Sequence, residues 1–163
     1  MQYKITSYSE DDTIELAENI ESEKFPNMVI CLEGDLGSGK TMFAKAFAKA
    51  NGINENITSP TFTIIKEYEG ELKLFHMDVY RLSDIKQDIG IEEYFTKKGV
   101  CIIEWADLIE DILPKNRLDI KIKIIDENTR QFVIIPHGSK YEDLCERVLW
   151  NSFFLCIFVI KYY

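Results

Sequence analysis

The segment Gly34-Asp-Leu-Gly-Ser-Gly39-Lys40-Thr41 constrains this chain more than any other. It follows a continuously apolar run at residues 28–32, the pattern of a central strand buried on both faces, and it opens into a strongly helical run at residues 41–50 that Asn51-Gly52 stops. Two glycines, a lysine and a threonine at these offsets, in a strand-to-helix context, satisfy the Walker A pattern. Glycine lets the backbone wrap a phosphate so that successive N–H groups point inward, and the following helix presents the positive end of its dipole to the same anion. Lys40 supplies a mobile charge for the β- and γ-phosphates, and the Thr41 hydroxyl is a candidate Mg²⁺ ligand. A lysine in the first turn of a helix opposes the dipole unless an anion is present, so its placement favours a binding role.

The rest of the chain fits an α/β fold around that loop, a P-loop NTPase-like three-layer domain with a mixed central sheet. Ser9, Asp11, Asp12 and Thr13 precede apolar residues at Ile14, Leu16, Ala17 and Ile20, which predicts a capped amphipathic helix. Residues 61–68 and 72–80 read as two strands joined through Glu69-Gly70-Glu71 as a hairpin, and 83–95 as an acidic helix broken by Gly90. Residues 100–103 form a second buried, parallel-type strand ending at Glu104-Trp105, and 118–125 and 131–135 are alternating strands around a polar turn. With 163 residues there is room for one such domain, read as residues 1–148, with an apolar C-terminal tail at 149–163.

Charge narrows the range of partners. Nineteen basic against 28 acidic side chains give a formal charge of -9, the wrong sign for gripping a nucleic-acid backbone over the whole surface. The four cysteines, Cys31, Cys101, Cys145 and Cys156, are too far apart for a zinc or redox motif, and buried reduced thiols are expected. The amino terminus has no basic region followed by an apolar stretch, and the apolar run 153–160 is far short of the ~20 residues that span a bilayer. The expectation is a cytoplasmic protein with no membrane partner.

Nucleotide hydrolysis needs a carboxylate near Mg²⁺, usually from the carboxyl end of a strand beside the P-loop strand. Glu104, directly after residues 100–103, fits best on position, and Asp78 is the second candidate. His76 alternates with Asp78 and Tyr80 on one strand face, so it either points toward the nucleotide or fills a polar edge position, the latter being expected. Trp105 either covers the site or packs in the core, and His137 reads as a surface residue.

Four segments in this order and spacing, Gly34-Asp-Leu-Gly-Ser-Gly-Lys-Thr41, Ser59-Pro-Thr-Phe-Thr63, Phe75-His-Met-Asp-Val-Tyr-Arg-Leu82 and Ile103-Glu-Trp105, closely resemble the TsaE family of bacterial tRNA threonylcarbamoyladenosine biosynthesis ATPases. The resemblance spans residues 9–141. It implies an ATPase, binding ATP or ADP with Mg²⁺, that works with the TsaD and TsaB proteins and resets that transferase complex between turnovers. tRNA is then reached through these partners, in keeping with the acidic charge. By the same resemblance Thr41 and Glu104 are metal ligands, Asp78 is the catalytic or water-positioning acid, Thr61 belongs to a switch loop near the γ-phosphate, and Trp105 neighbours the active site. Gly37, Ser38, Gly39, Lys40, Thr41 and Met42 contact the phosphates, and Glu10 and Arg130 match positions on the adenine side. There are two departures. Met42 stands where the family has a second threonine, which leaves phosphate contact there to the backbone N–H, and the tail is more apolar than family ends.

Two rival readings come from other classes. A small-molecule P-loop kinase ordinarily carries an arginine-rich lid, whereas Arg81, Arg117, Arg130 and Arg147 are scattered. A nucleotide-dependent switch that hydrolyses nothing alone differs from the leading reading only in turnover. No Asn-Lys-x-Asp guanine-reading motif occurs, which argues against GTP.

Overall fold

A computed structural model describes residues 1–82 and 88–150. The chain runs through β1 (Tyr3–Ser7), α1 (Glu10–Ser22), β2 (Met28–Glu33), α2 (Lys40–Ala50), β3 (Ile65–Tyr68) and β4 (Leu74–Asp78). It continues through a 3-10 segment at Ile91–Thr96, β5 (Val100–Glu104), a second 3-10 segment at Ala106–Ile112, β6 (Arg117–Ile124), β7 (Arg130–His137) and α3 (Ser139–Trp150).

The strands form one mixed sheet of seven in the order β1-β7-β6-β2-β5-β4-β3. β2 pairs in parallel with β5 and β6, and β4 in parallel with β5, whereas β3–β4, β6–β7 and β1–β7 are antiparallel. Alternation along β2 sorts its side chains. Met28, Ile30 and Leu32 face the helices, where Leu16 and Ile20 of α1, Phe43 and Phe47 of α2 and Leu144 of α3 pack. Val29 and Cys31 face the opposite side with Phe75, Met77, Cys101 and Ile103, covered by Ile91, Ala106 and Ile109 of the 3-10 segments. Three layers result, and among the described residues the outer one on the second face is built from 3-10 turns.

The predicted N-terminus of α1 is a reciprocal cap. The Asp12 N–H donates to Ser9 Oγ at 3.2 Å, and the Tyr8 N–H donates to Asp12 Oδ2 at 2.8 Å. Elsewhere the elements differ from expectation. β3 starts only at Ile65, because Ile64 takes φ 66° and its N–H donates to Pro60 O at 2.7 Å, turning residues 60–64 across the sheet end. β4 ends at Asp78, whose Oδ1 accepts from the Tyr80 N–H at 3.0 Å and curls the chain out of the sheet. Of the expected helix at 83–95, residues 83–87 lie outside the described residues, and the described remainder turns at Gly90 into the short Ile91–Thr96 segment.

β1 and α3 were not expected. α3 buries Tyr141, Leu144, Cys145, Val148 and Leu149, a stripe at helical spacing, and the Val29 N–H donates to the Tyr141 hydroxyl at 2.8 Å. The division expected after residue 148 therefore falls inside α3, while 151–163 lie outside the described residues. Cys31, Cys101 and Cys145 are free and buried; Cys156 lies outside the described residues. Among the described residues no helix is long and apolar enough to cross a membrane.

Candidate functional site

A cavity of about 640 Å³ opens at the carboxyl ends of β2, β4 and β5, walled by the P-loop, α1, the loop at residues 59–61 and the β6–β7 turn. The loop is compact because Gly34 lacks a side chain: a Cβ there would lie 2.5 Å from Ser38 Oγ and 2.7 Å from Ile122 O. Gly39 caps α2 with φ 109°, a conformation glycine adopts without strain, and offers no side-chain cap. The first-turn N–H groups of α2 have no intrahelical acceptor, and no acidic residue sits in that turn.

Lys40 stands in the same turn, buried, with its ammonium donating to Gly34 O at 2.5 Å and Asp35 O at 3.1 Å and lying 3.9 Å from the Trp105 ring centroid. Burial lowers its pKa below the usual lysine value, against the opposing pull of Glu104, Asp78, Asp107 and Asp35. An uncapped helix N-terminus beside a desolvated cation suits an anion: both features cost free energy that a phosphate would offset.

Next to it the strand ends supply oxygen. Thr41 Oγ1 donates to Glu104 Oε2 at 3.1 Å, and Glu104 Oε1 lies 2.8 Å from His76 Nε2. Asp78 pairs with Glu104 across β4 and β5; its Oδ2 accepts from Ser59 Oγ at 2.6 Å and from Thr61 Oγ1 at 3.5 Å. Thr41, Glu104 and Asp78 all line the cavity, a set of hard donors that suits Mg²⁺. Among the described residues no three His, Cys, Asp or Glu side chains are arranged to hold a metal by themselves.

The sequence candidates converge unevenly. Glu10, Gly37, Gly39, Lys40, Thr41, Met42, Thr61, Asp78, Glu104, Trp105 and Arg130 line the cavity, whereas Ser38 is buried behind the loop and its Oγ has no hydrogen-bond partner. Trp105, at φ 62°, turns its ring beneath Lys40 and 4.8 Å from the Tyr80 ring, so it walls the cavity. His76 holds no edge position: β3 pairs outside β4, and the imidazole is fully buried against Glu104. His137 is half-exposed and binds Asp119 at 2.7 Å. Arg130 directs its guanidinium to backbone carbonyls, including Ser38 O at 3.1 Å. Sequence reasoning missed Ser9, Thr13, Leu36, Ser59, Tyr80, Glu127 and Asn128 as cavity residues. Leu36, Ser59 and Tyr80 had a signal, their places in the phosphate-loop, Ser-Pro-Thr and 75–82 segments.

A family model described as "Threonylcarbamoyl adenosine biosynthesis protein TsaE" matches residues 7–132. The Bacillus subtilis (strain 168) protein named tRNA threonylcarbamoyladenosine biosynthesis protein TsaE is 47% identical over 148 residues, covering 90% of this chain and 94% of the relative. Its namesake in Aquifex aeolicus is 41% identical over 128 residues, covering 76% of this chain and 88% of the relative. The crystal structure of Bacillus subtilis YdiB superposes with a TM-score of 0.82 at 41% identity, covering 93% of this chain and 97% of that one.

Proposed function

Since the chain belongs to the TsaE family of tRNA threonylcarbamoyladenosine biosynthesis proteins, we propose that it is a Mg²⁺-dependent ATPase that acts on the TsaD–TsaB transferase complex and resets it between turnovers. The observation that carries this reading is the juxtaposition of the uncapped α2 N-terminus and Lys40 with the Thr41–Glu104 oxygen pair in one cavity.

In this reading the N–H groups of Gly37, Gly39, Thr41 and Met42 cradle the phosphates, and Lys40 exchanges its carbonyl partners for phosphate oxygens. Thr41 and Glu104 hold Mg²⁺, which supplies charge neutralisation on the phosphates. Asp78, anchored by Ser59 and the Tyr80 N–H, orients the attacking water. Trp105 restricts solvent at Lys40, Thr61 follows the state of the γ-phosphate, and the adenosine lies between Glu10 and the β6–β7 turn. The protein would act in the cytoplasm and leave tRNA binding to its partners, in keeping with its charge of -9.

The test is ATP turnover by the purified chain with and without TsaD and TsaB, for the unaltered protein, Lys40→Ala and Glu104→Ala. Stimulation by the partners, lost in both variants, supports the proposal. Turnover that ignores the partners or survives loss of Lys40 overturns it, and a screen of metabolite acceptors for kinase activity follows.

A further inference from the structure

Arg130 opens β7, opposite Ile124 of β6 and Ser7 of β1, beside the candidate cavity. Its guanidinium is committed to main-chain carbonyls. Nη1 donates to Asp126 O at 2.8 Å, Thr129 O at 3.1 Å and Glu127 O at 3.3 Å, all in the β6–β7 turn. Nε donates to Ser38 O at 3.1 Å and Nη2 to Gly37 O at 3.4 Å, both in the phosphate loop. One planar fork therefore ties the turn to the loop, a geometry that a single ammonium does not reproduce.

The consequence lies in the peptide planes. In a trans peptide the carbonyl and the following N–H point in opposite directions, and the described chain has no cis bond. Holding Ser38 O on the Arg130 side sets the Gly39 N–H on the far side, and Gly39 lines the cavity. Holding Gly37 O likewise sets the Ser38 N–H, which donates to Asp35 O at 3.0 Å and closes the turn of the loop. Lys40 holds Gly34 O and Asp35 O in the same way, but it must release them to meet a phosphate. Arg130 has no such conflict.

We infer that Arg130 is a positioning residue for the phosphate cradle, fixing the Gly37 and Ser38 carbonyls away from the anion so that the loop keeps its turn and the Gly39 N–H faces the anion, rather than a contact for the nucleotide base. The inference rests on the nucleotide-binding reading above and deepens it.

The experiment compares binding of Mg-ATP and of inorganic tripolyphosphate, which has no base, to the unaltered chain, Arg130→Lys and Arg130→Gln by calorimetry, with circular dichroism checking the fold. Both ligands should weaken by a similar factor, about 10–100-fold as for other orienting partners. Loss of ATP affinity with tripolyphosphate unchanged means a base contact and overturns the inference, as does no change in either. If the unaltered chain binds neither ligand, the nucleotide reading itself falls and takes the inference with it. Should both variants unfold, the Arg130 Nε–H in the unaltered protein decides. Slow exchange with solvent that persists with tripolyphosphate bound supports the inference, and fast exchange overturns it.

Discussion

His76 Nε2 lies 2.8 Å from Glu104 Oε1, while the other oxygen of the same carboxylate lies 3.1 Å from Thr41 Oγ1. The imidazole is fully buried and, among the described residues, its Nδ1 has no hydrogen-bond partner, so its polar contact there is the one to Glu104. A carboxylate accepts, which puts the shared proton on Nε2 and leaves Oε2 facing Thr41. His76→Gln keeps an N–H donor at comparable reach, whereas His76→Leu removes it and leaves a buried carboxylate short of a partner. His76→Leu should lower ATP turnover about 10–100-fold and raise the Mg²⁺ requirement, with His76→Gln close to the unaltered chain. A Mg²⁺ titration of turnover checks this; equal losses in both variants would contradict an orienting role.

Lys40 sets stability and binding against each other. Burial lowers its folded pKa below the ordinary 10.5, so between the lowered value and 10.5 the unfolded chain binds more protons than the folded one. Stability should rise with pH across that window, and phosphate affinity should fall across it as the ammonium is lost. Lys40→Met should abolish nucleotide binding yet raise the melting temperature of the ligand-free protein, by on the order of 2–4 °C for each 1 kcal/mol gained. Paired thermal melts and ATP titrations at neutral and alkaline pH measure both slopes.

Where one physical signal dominated, the sequence was legible. β2 and β5 are continuous apolar runs that no exposed element could hold, and the glycine spacing dictated the loop between β2 and α2. The place of Glu104 at the cavity was legible as well, since the carboxyl ends of the parallel strands converge there. β1 was missed because Tyr3, Ile5 and Ser7 face inward over only five residues, too short a period for recognition. α3 was not legible because the five residues of its apolar stripe are interleaved with charges and precede a longer apolar run that carries the stronger signal. His76 was misplaced because β3, read as a hairpin partner, lies outside β4 and makes it an interior strand. The Arg130 and Ser59 contacts depend on the paths of two loops, which residue spacing does not encode.

Gly34 tests the packing of the phosphate loop. An added Cβ meets both Ser38 Oγ and the backbone carbonyl of Ile122, and only the first can be removed by mutation. Gly34→Ala should destabilise by about 1–3 kcal/mol, as overpacking does. Ser38→Ala should be close to neutral, because its buried hydroxyl has no partner to lose. The double variant should recover part of the loss and no more, since the Ile122 carbonyl stays in place. Urea denaturation of the three variants reads the cycle.

Asp78 separates chemistry from binding. The carboxylate is buried, with Oδ2 accepting from Ser59 and Oδ1 from the Tyr80 N–H, and its strand β4 is separated by β5 from β2, which leads into the Lys40–Thr41 cradle. If it orients water, Asp78→Asn keeps the shape and the nucleotide contacts but loses the charge, so kcat should fall by about 10²–10⁴-fold with KM for ATP nearly unchanged. Ser59→Ala removes one anchor of the same carboxylate and should lower kcat less, in the same direction and again without a KM change. A rise in KM with kcat intact would assign Asp78 to nucleotide binding instead, and would move the search for the water-orienting group to Thr61. Steady-state ATP kinetics of the unaltered chain and the two variants, measured with the partner proteins present, distinguishes these outcomes.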